Sequence, residues 1–303
     1  MMKKSKVLFL GLLALAVACK QNDQEGVLPK SDPETEAKKA ATFSVQNLDQ
    51  NHILVSLTNA NALDHTFKYS NGESSKSDID TVYFPFKGTY EITLEVLTAN
   101  GTSSSSKKVK VNKDDLANPD LNDPIVKLLT GGLQDTDGKT WVVSAAPFQS
   151  GVGPFSSLTP DWYNFPEGLT GLAWENGILQ NSFTFNLRNY QYIPKNTTVT
   201  VHYAYANRYF GTSQPMYGDI ALSDPDHVQA PFTIKNAHTG MGTGYTIDIA
   251  NNSYIGYCEK RNHYEIVSIS NDTLRIRNPY SDDAYSDPSN DVGVRYFTLV
   301  AKN

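Results

Sequence analysis

The chain has 303 residues, 39% of them hydrophobic, with 17 tyrosines and 13 phenylalanines, which suits a globular, β-rich protein of more than one domain. Its net charge is −6 and its 26 basic residues are scattered, so no basic face exists to neutralise a phosphate backbone and no nucleic acid partner is expected.

In chain order, the first feature is an export signal. Three lysines fall within residues 1–6, residues 7–18 are apolar but for Gly11, and Cys19 follows Ala16-Val17-Ala18. A run of about a dozen residues is too short to cross a hydrocarbon layer about 30 Å thick as a helix, so residues 1–18 are expected to be cleaved. The Ala-Val-Ala-Cys segment resembles the lipobox read by the lipoprotein signal peptidase, which implies a lipid on Cys19 and attachment to the outer membrane. With Cys19 acylated, Cys258 has no disulfide partner in the mature chain. Residues 19–40 are rich in Lys, Gln, Asp, Glu, Ser and Pro and bury too little apolar surface to fold, so a flexible tether is expected. Asp23 and Glu25 resemble the acidic signals that send lipoproteins to the cell exterior.

Residues 41–112 show short alternating runs, such as Ile53 to Leu57, Thr66 to Tyr69, Thr81 to Phe84, Thr89 to Leu97 and Lys107 to Val111. Alternation of β-branched and aromatic residues with polar ones marks half-buried strands. Tyr90, Ile92, Leu94 and Val96 would face one core, and Asn100-Gly101 supplies a hairpin turn. The Gly88-Thr89-Tyr90 strand, preceded by Phe67-Lys68-Tyr69-Ser70-Asn71-Gly72, resembles the PKD family. That likeness implies an immunoglobulin-like β-sandwich acting as a spacer. Residues 113–124, charged and without periodicity, read as a linker.

Residues 125–303 hold all three tryptophans and 14 of the 17 tyrosines, an aromatic content the small first domain does not share. Strand-like runs recur at 139–143, 182–186, 197–204, 245–249, 264–268, 274–277 and 295–301, separated by Gly, Asn, Asp and Pro turns with no long helix between them. The expectation is an all-β chain whose second domain is a larger, jelly-roll-like β-sandwich. Leu129-Thr130-Gly131-Gly132, Lys139-Thr140-Trp141-Val142-Val143, Gly151-Val152-Gly153-Pro154 and Pro160-Asp161-Trp162-Tyr163 together resemble PKD-containing surface glycan-binding lipoproteins of polysaccharide utilisation systems. The resemblance implies capture of a polysaccharide or oligosaccharide beside a TonB-dependent transporter and its partner glycan-binding lipoprotein.

A pyranose presents a face of C–H bonds and a rim of hydroxyls, so a flat aromatic ring beside Asp, Asn or Arg is the pattern to seek. Asp161, Trp162 and Tyr163 supply it in one segment, and Arg208, Tyr209 and Tyr217 in another that reads as a loop; Trp174 is a reserve. Each segment has a plainer reading, in which its aromatics pack inward as loop anchors. Trp141, in an alternating run, reads as core.

Sandwich hydrolases of the laminarinase type carry Glu-x-Asp-x-x-Glu on one strand, placing two carboxyls about 5 Å apart across the sugar. Thr246-Ile247-Asp248-Ile249-Ala250-Asn251 keeps one Asp and neither Glu, so the expectation is a binding protein and not an enzyme. Gly240 to Gly244 precedes a strand and not a helix, so it reads as a turn. The six histidines show no ligand spacing, and Asp135-Thr136-Asp137-Gly138 is only a fragment of a calcium loop and reads as a hairpin. No metal and no cofactor is expected. A glycoside hydrolase with an unrecognised site and a structural or protein-binding module remain as alternatives.

Overall fold

A computed structural model describes residues 41–58, 62–99, 101–237, 241–259, 261–280 and 291–302. The signal segment, Cys19 and the tether lie outside the described residues. The described chain is all-β in its sheets, with only short helices between strands.

The first seven strands are β1 (Phe43–Asn47), β2 (His52–Leu57), β3 (Asp64–Tyr69), β4 (Ser74–Ser75), β5 (Ile79–Tyr83), β6 (Gly88–Thr98) and β7 (Gly101–Val111). They form one sheet of order β1-β2-β5 and another of order β4-β3-β6-β7. Both sheets turn their apolar alternates onto a common core that includes Ile53, Val55 and Val82 from one, and Phe67, Ile92, Leu94 and Val96 from the other. Two of these strands, β1 and β4, escape sequence reading because their exposed positions outnumber their buried ones.

The segment read as a linker is packed. Lys87 N donates to Asp114, the Tyr83 hydroxyl donates to Asp115, and Pro119–Asn122 forms a 3-10 turn whose Leu121 is fully buried beside Phe86, Val126 and Leu187. One leucine in a polar stretch suffices to dock the connector. Helix α1 (Pro124–Thr130) follows at once, begun by Asp123 accepting from the Ile125 and Val126 amides and ended at Gly131 with φ 83°.

The remaining strands are β8 (Lys139–Val143), β9 (Gly151–Gly153), β10 (Tyr163–Asn164), β11 (Phe183–Asn186), β12 (Gln191–Pro194), β13 (Thr198–Val201), β14 (Ile220–Ser223), β15 (Ala230–Asn236), β16 (Tyr245–Ile249), β17 (Tyr257–Cys258), β18 (His263–Ile269), β19 (Thr273–Tyr280) and β20 (Gly293–Ala301). They correct the expected jelly-roll sandwich. The order β20-β19-β18-β16-β15-β12-β11-β8 returns to β20 through Leu299 opposite Val143 and Ala301 opposite Trp141, so eight antiparallel strands close into a barrel. Closure leaves none of these eight strands as a free sheet edge. The N-terminal half of β20 pairs with β9, which pairs with β10, so a small flap extends the wall at one end.

An eight-stranded barrel is just wide enough for side chains to fill. Trp141, Phe183, Phe185, Tyr192, Phe232, Tyr264 and Leu299 belong to one continuous core, and the Trp141 indole N–H donates to the Leu129 carbonyl of α1. The segment expected as a hairpin at 135–138 is instead a turn entering β8, in which the Asp135 carboxylate accepts from the Asp137 and Gly138 amides.

Candidate ligand-binding end of the barrel

Antiparallel registers fix which connections share an end. The C-terminal ends of β8, β12, β16 and β19 and the N-terminal ends of β11, β15, β18 and β20 all lie at the same rim. The C-terminal ends of β11, β15 and β18 lie at the other, where the first domain and α1 sit. The two longest described connections, 144–182 and 195–229, thus belong to one end, and barrel mouths are favoured ligand positions. Since the interior is packed, a ligand here must lie on the rim and its loops.

Charged and phenolic side chains brace this rim from beneath. Glu259, fully buried, accepts from Arg295 Nε at 3.0 Å and Nη2 at 2.5 Å. The Arg295 guanidinium lies over the rings of Tyr257 at 4.1 Å and Tyr280 at 5.3 Å. Burial alone would depress that guanidinium, and the Glu259 carboxylate beside it outweighs burial and holds its pKa above the ordinary arginine value. The Tyr257 hydroxyl donates to Asp219, whose other oxygen accepts from the Tyr203 amide at 3.0 Å. Tyr203 opens helix α2 (Tyr203–Tyr209). The Tyr-Ala-Tyr-Ala alternation there reads as a strand; the helix wins because Tyr205 and Tyr209, four residues apart, stack at 5.7 Å over the core.

The flap is clamped by backbone acceptors. Arg277, paired with Glu265, donates to the carbonyls of Phe155 and Ser157, and the Tyr296 hydroxyl donates to Ser157 O at 2.7 Å. Trp162 and Tyr163 are therefore carried by a fixed segment, and they are 53% and 54% exposed. A Cβ on Gly293 would come within 2.5 Å of the Trp162 ring, so the indole rests against bare backbone. Tyr163 meets Phe165 edge to face at 5.2 Å. The Asp161 carboxylate accepts from Thr159 Oγ1 at 2.6 Å, and the Ser157 and Thr159 hydroxyls hold it below the usual carboxylate range. It orders its own loop while staying exposed. Trp174 departs from the reserve role: it is half-buried, 6.0 Å from Phe165, and packed on the barrel core.

In the second group, Tyr209 is 43% exposed with the Arg208 guanidinium 5.5 Å from its ring. Tyr217 is 77% exposed, has φ 64°, and meets Tyr203 edge to face. Tyr209 lines a groove of about 550 Å³ with Ser223, Asp224, Asp226 and Asn252. Sequence reasoning missed those four. The signals were turn residues, Asp224-Pro225-Asp226 and Asn251-Asn252, the latter both at φ 57°. Trp162 and Tyr209 share the rim, but the flap contributes no residue to the Tyr209 groove. Asp248, the surviving acid of the hydrolase pattern, is held by His263 at 2.6 Å. Among the described residues no group of three or more His, Cys, Asp or Glu is placed to hold a metal ion.

Fold and rim together define a two-domain all-β protein in which a small two-sheet domain precedes a closed barrel with an aromatic, loop-bearing end. No protein-family model and no curated protein matches the chain. Part of it is similar to the PKD1 domain of the Vibrio cholerae metalloprotease PrtV, with 19% identity and TM-score 0.22 over 24% of this chain and 95% of that one. It is also similar to the PKD1 domain of Vibrio anguillarum Epp, with 17% identity and TM-score 0.22 over 24% of this chain and 92% of that one.

Proposed function

We propose that this chain is a non-catalytic surface lipoprotein that binds a polysaccharide or oligosaccharide on the loop-bearing rim of its barrel. The observation that carries the reading is the pair Trp162 and Tyr163, more than half exposed on a flap whose backbone is pinned by Arg277 and Tyr296. Large aromatics are normally buried; a rigid exposed pair offers a sugar a flat apolar face at little ordering cost. Tyr209, with Asp226 and Asn252 beside it, adds a ring and a polar rim at the same end.

In this reading the first domain is a PKD-type, immunoglobulin-like spacer, Cys19 carries the lipid, and the tether holds the barrel outside the outer membrane. The bound glycan passes to a TonB-dependent transporter working with a partner glycan-binding lipoprotein. The packed connector supports the spacer role, since it keeps the barrel attached to the first domain.

The test is Trp162→Ala, titrated calorimetrically against a panel of soluble polysaccharides. Truncation removes about 1–3 kcal/mol of apolar contact, so affinity falls roughly five- to hundredfold. The melting temperature stays near that of the native protein because the ring is half solvated already. Unchanged affinity with a large drop in melting temperature would overturn the platform role.

A further inference from the structure

The end of the barrel away from the long loops carries a cleft of its own. It lies between the domains, has a volume of about 510 Å³, and takes walls from β4's turn and β5 of the first domain, the connector, and β15 and β16 of the barrel. That volume is within the roughly 300–1,000 Å³ of small-molecule sites. The walls are held: Phe86, Leu121, Val126 and Leu187 are buried together beneath it, and a Cβ on Gly72 would stand 2.9 Å from the Pro231 side chain.

Tyr190 lines this cleft. The residue occupies the left-handed region at φ 47°, a conformation rare for a bulky side chain, and its ring lies 6.2 Å from Phe86 and 5.9 Å from Phe232. Burial raises its phenol pKa, so the hydroxyl stays protonated and able to donate. Neighbouring phenols are engaged: Tyr83 donates to Asp115 and Tyr245 to Asp123. The Tyr190 hydroxyl and the side chains of Thr81, Thr233, Lys235 and Asp120 line the same cleft. These groups form a mixed set of donors and acceptors around an apolar floor.

Charge selects the ligand class. Glu73, Asp120 and Asp123 face Lys235 alone, so the cleft is negative on balance and repels phosphates, sulfates and uronates. A neutral polyhydroxylated molecule can donate to the carboxylates, accept from Lys235 and Tyr190, and lay its C–H face on the rings. We propose that this cleft is a second binding site, for a short neutral saccharide, built jointly by the two domains and independent of the loop-bearing rim.

The experiment uses the full chain with Trp162→Ala, Tyr163→Ala, Tyr209→Ala and Tyr217→Ala, which removes the exposed rim aromatics. Saturation-transfer NMR is recorded with neutral hexaoses of glucose, xylose and mannose and with a hexamer of galacturonic acid. Transfer from at least one neutral hexaose, none from the uronate, and a loss of about tenfold in affinity on adding Tyr190→Phe and Lys235→Ala are expected. No transfer from any neutral hexaose, stronger binding of the uronate, or affinity unmoved by the cleft substitutions overturns the second site. Because Tyr190→Phe could loosen the domain interface, Lys235→Ala alone, on the exposed side of the cleft, is measured beside it and should account for most of the loss. Failure of Trp162→Ala to weaken binding in the otherwise native chain bears on the rim alone and leaves the cleft standing.

Discussion

The two ends of the barrel are closed by opposite chemistry. At the domain-facing end the seal is hydrocarbon: Leu129 and Val126 of α1, then Leu187, Leu121 and Phe86. At the loop-bearing end it is a network of Glu259, Arg295, Tyr257, Asp219 and Tyr203. Apolar contact is non-directional, so it fastens one domain to another but specifies few angles. A buried polar network is costly to desolvate, yet each hydrogen bond has a required geometry. The barrel uses the second kind of seal where loops must hold side chains out to solvent, and the first where it needs only to stay attached.

Three measurements break or sharpen that contrast. The largest effect is expected from Arg295→Met, which strands the fully buried Glu259 carboxylate without its partner and should destabilise the protein by about 3–5 kcal/mol in chemical denaturation. Adding Glu259→Leu should recover most of the loss, since an apolar pair of similar volume replaces the ion pair. A double variant as unstable as the single one would mean that the network is needed for folding itself. At the opposite end, Leu187→Ala should cost about 2–3 kcal/mol, the lower part of the range for leucine truncation, because the cluster it leaves is small. Limited proteolysis should then cut the connector at 113–118 sooner than in the native protein. Equal cleavage would show that the domains are held by contacts other than this cluster.

The smallest effect is in pH. Both buried or half-buried histidines with shifted pKa lie at the loop-bearing end. Burial beside Phe183, Tyr192 and Tyr254 lowers His227, so the unfolded chain binds its proton more readily, and stability is lost as pH falls below about 6.5. His263 is raised by its hydrogen bond to Asp248, against a smaller opposing effect of burial. Its contribution is present below about 6.5 and fades as pH climbs past the raised value. Melting temperatures from pH 5 to 8.5 should therefore show a gentle maximum, and His263→Gln should flatten only the alkaline side. A change on the acid side would assign that limb to the wrong ring.

Much of the strand inventory is legible because a half-buried strand repeats every two residues. Tyr90, Ile92, Leu94 and Val96 announce β6, and Trp141 and Val143 announce β8, without any knowledge of partners. β15 is hidden by Pro231 near its start, where proline is tolerated although it cannot donate to a ladder. α2 is hidden by an alternation that fits a strand equally well. Among site residues, composition and local polarity were enough to single out Trp162, Tyr163, Tyr209 and Tyr217, all of which stand exposed, but could not separate them from Trp174, which packs inward. Exposure depends on what folds over a residue, and Gly293 and Arg277, which decide it for the flap, come from strands more than a hundred residues downstream.

The sequence by itself determined that the chain is β-built, that its aromatics concentrate after residue 125, and which segments alternate, because these are properties of neighbouring residues. Only the tertiary structure decided that the second domain is a closed barrel and not a sandwich. That outcome rests on β20 pairing with β8 across the length of the domain, where Leu299 meets Val143. No local pattern records it: the same alternating strands satisfy their apolar faces in either arrangement, and what selects closure is the summed register of eight ladders and the packing of the side chains they enclose.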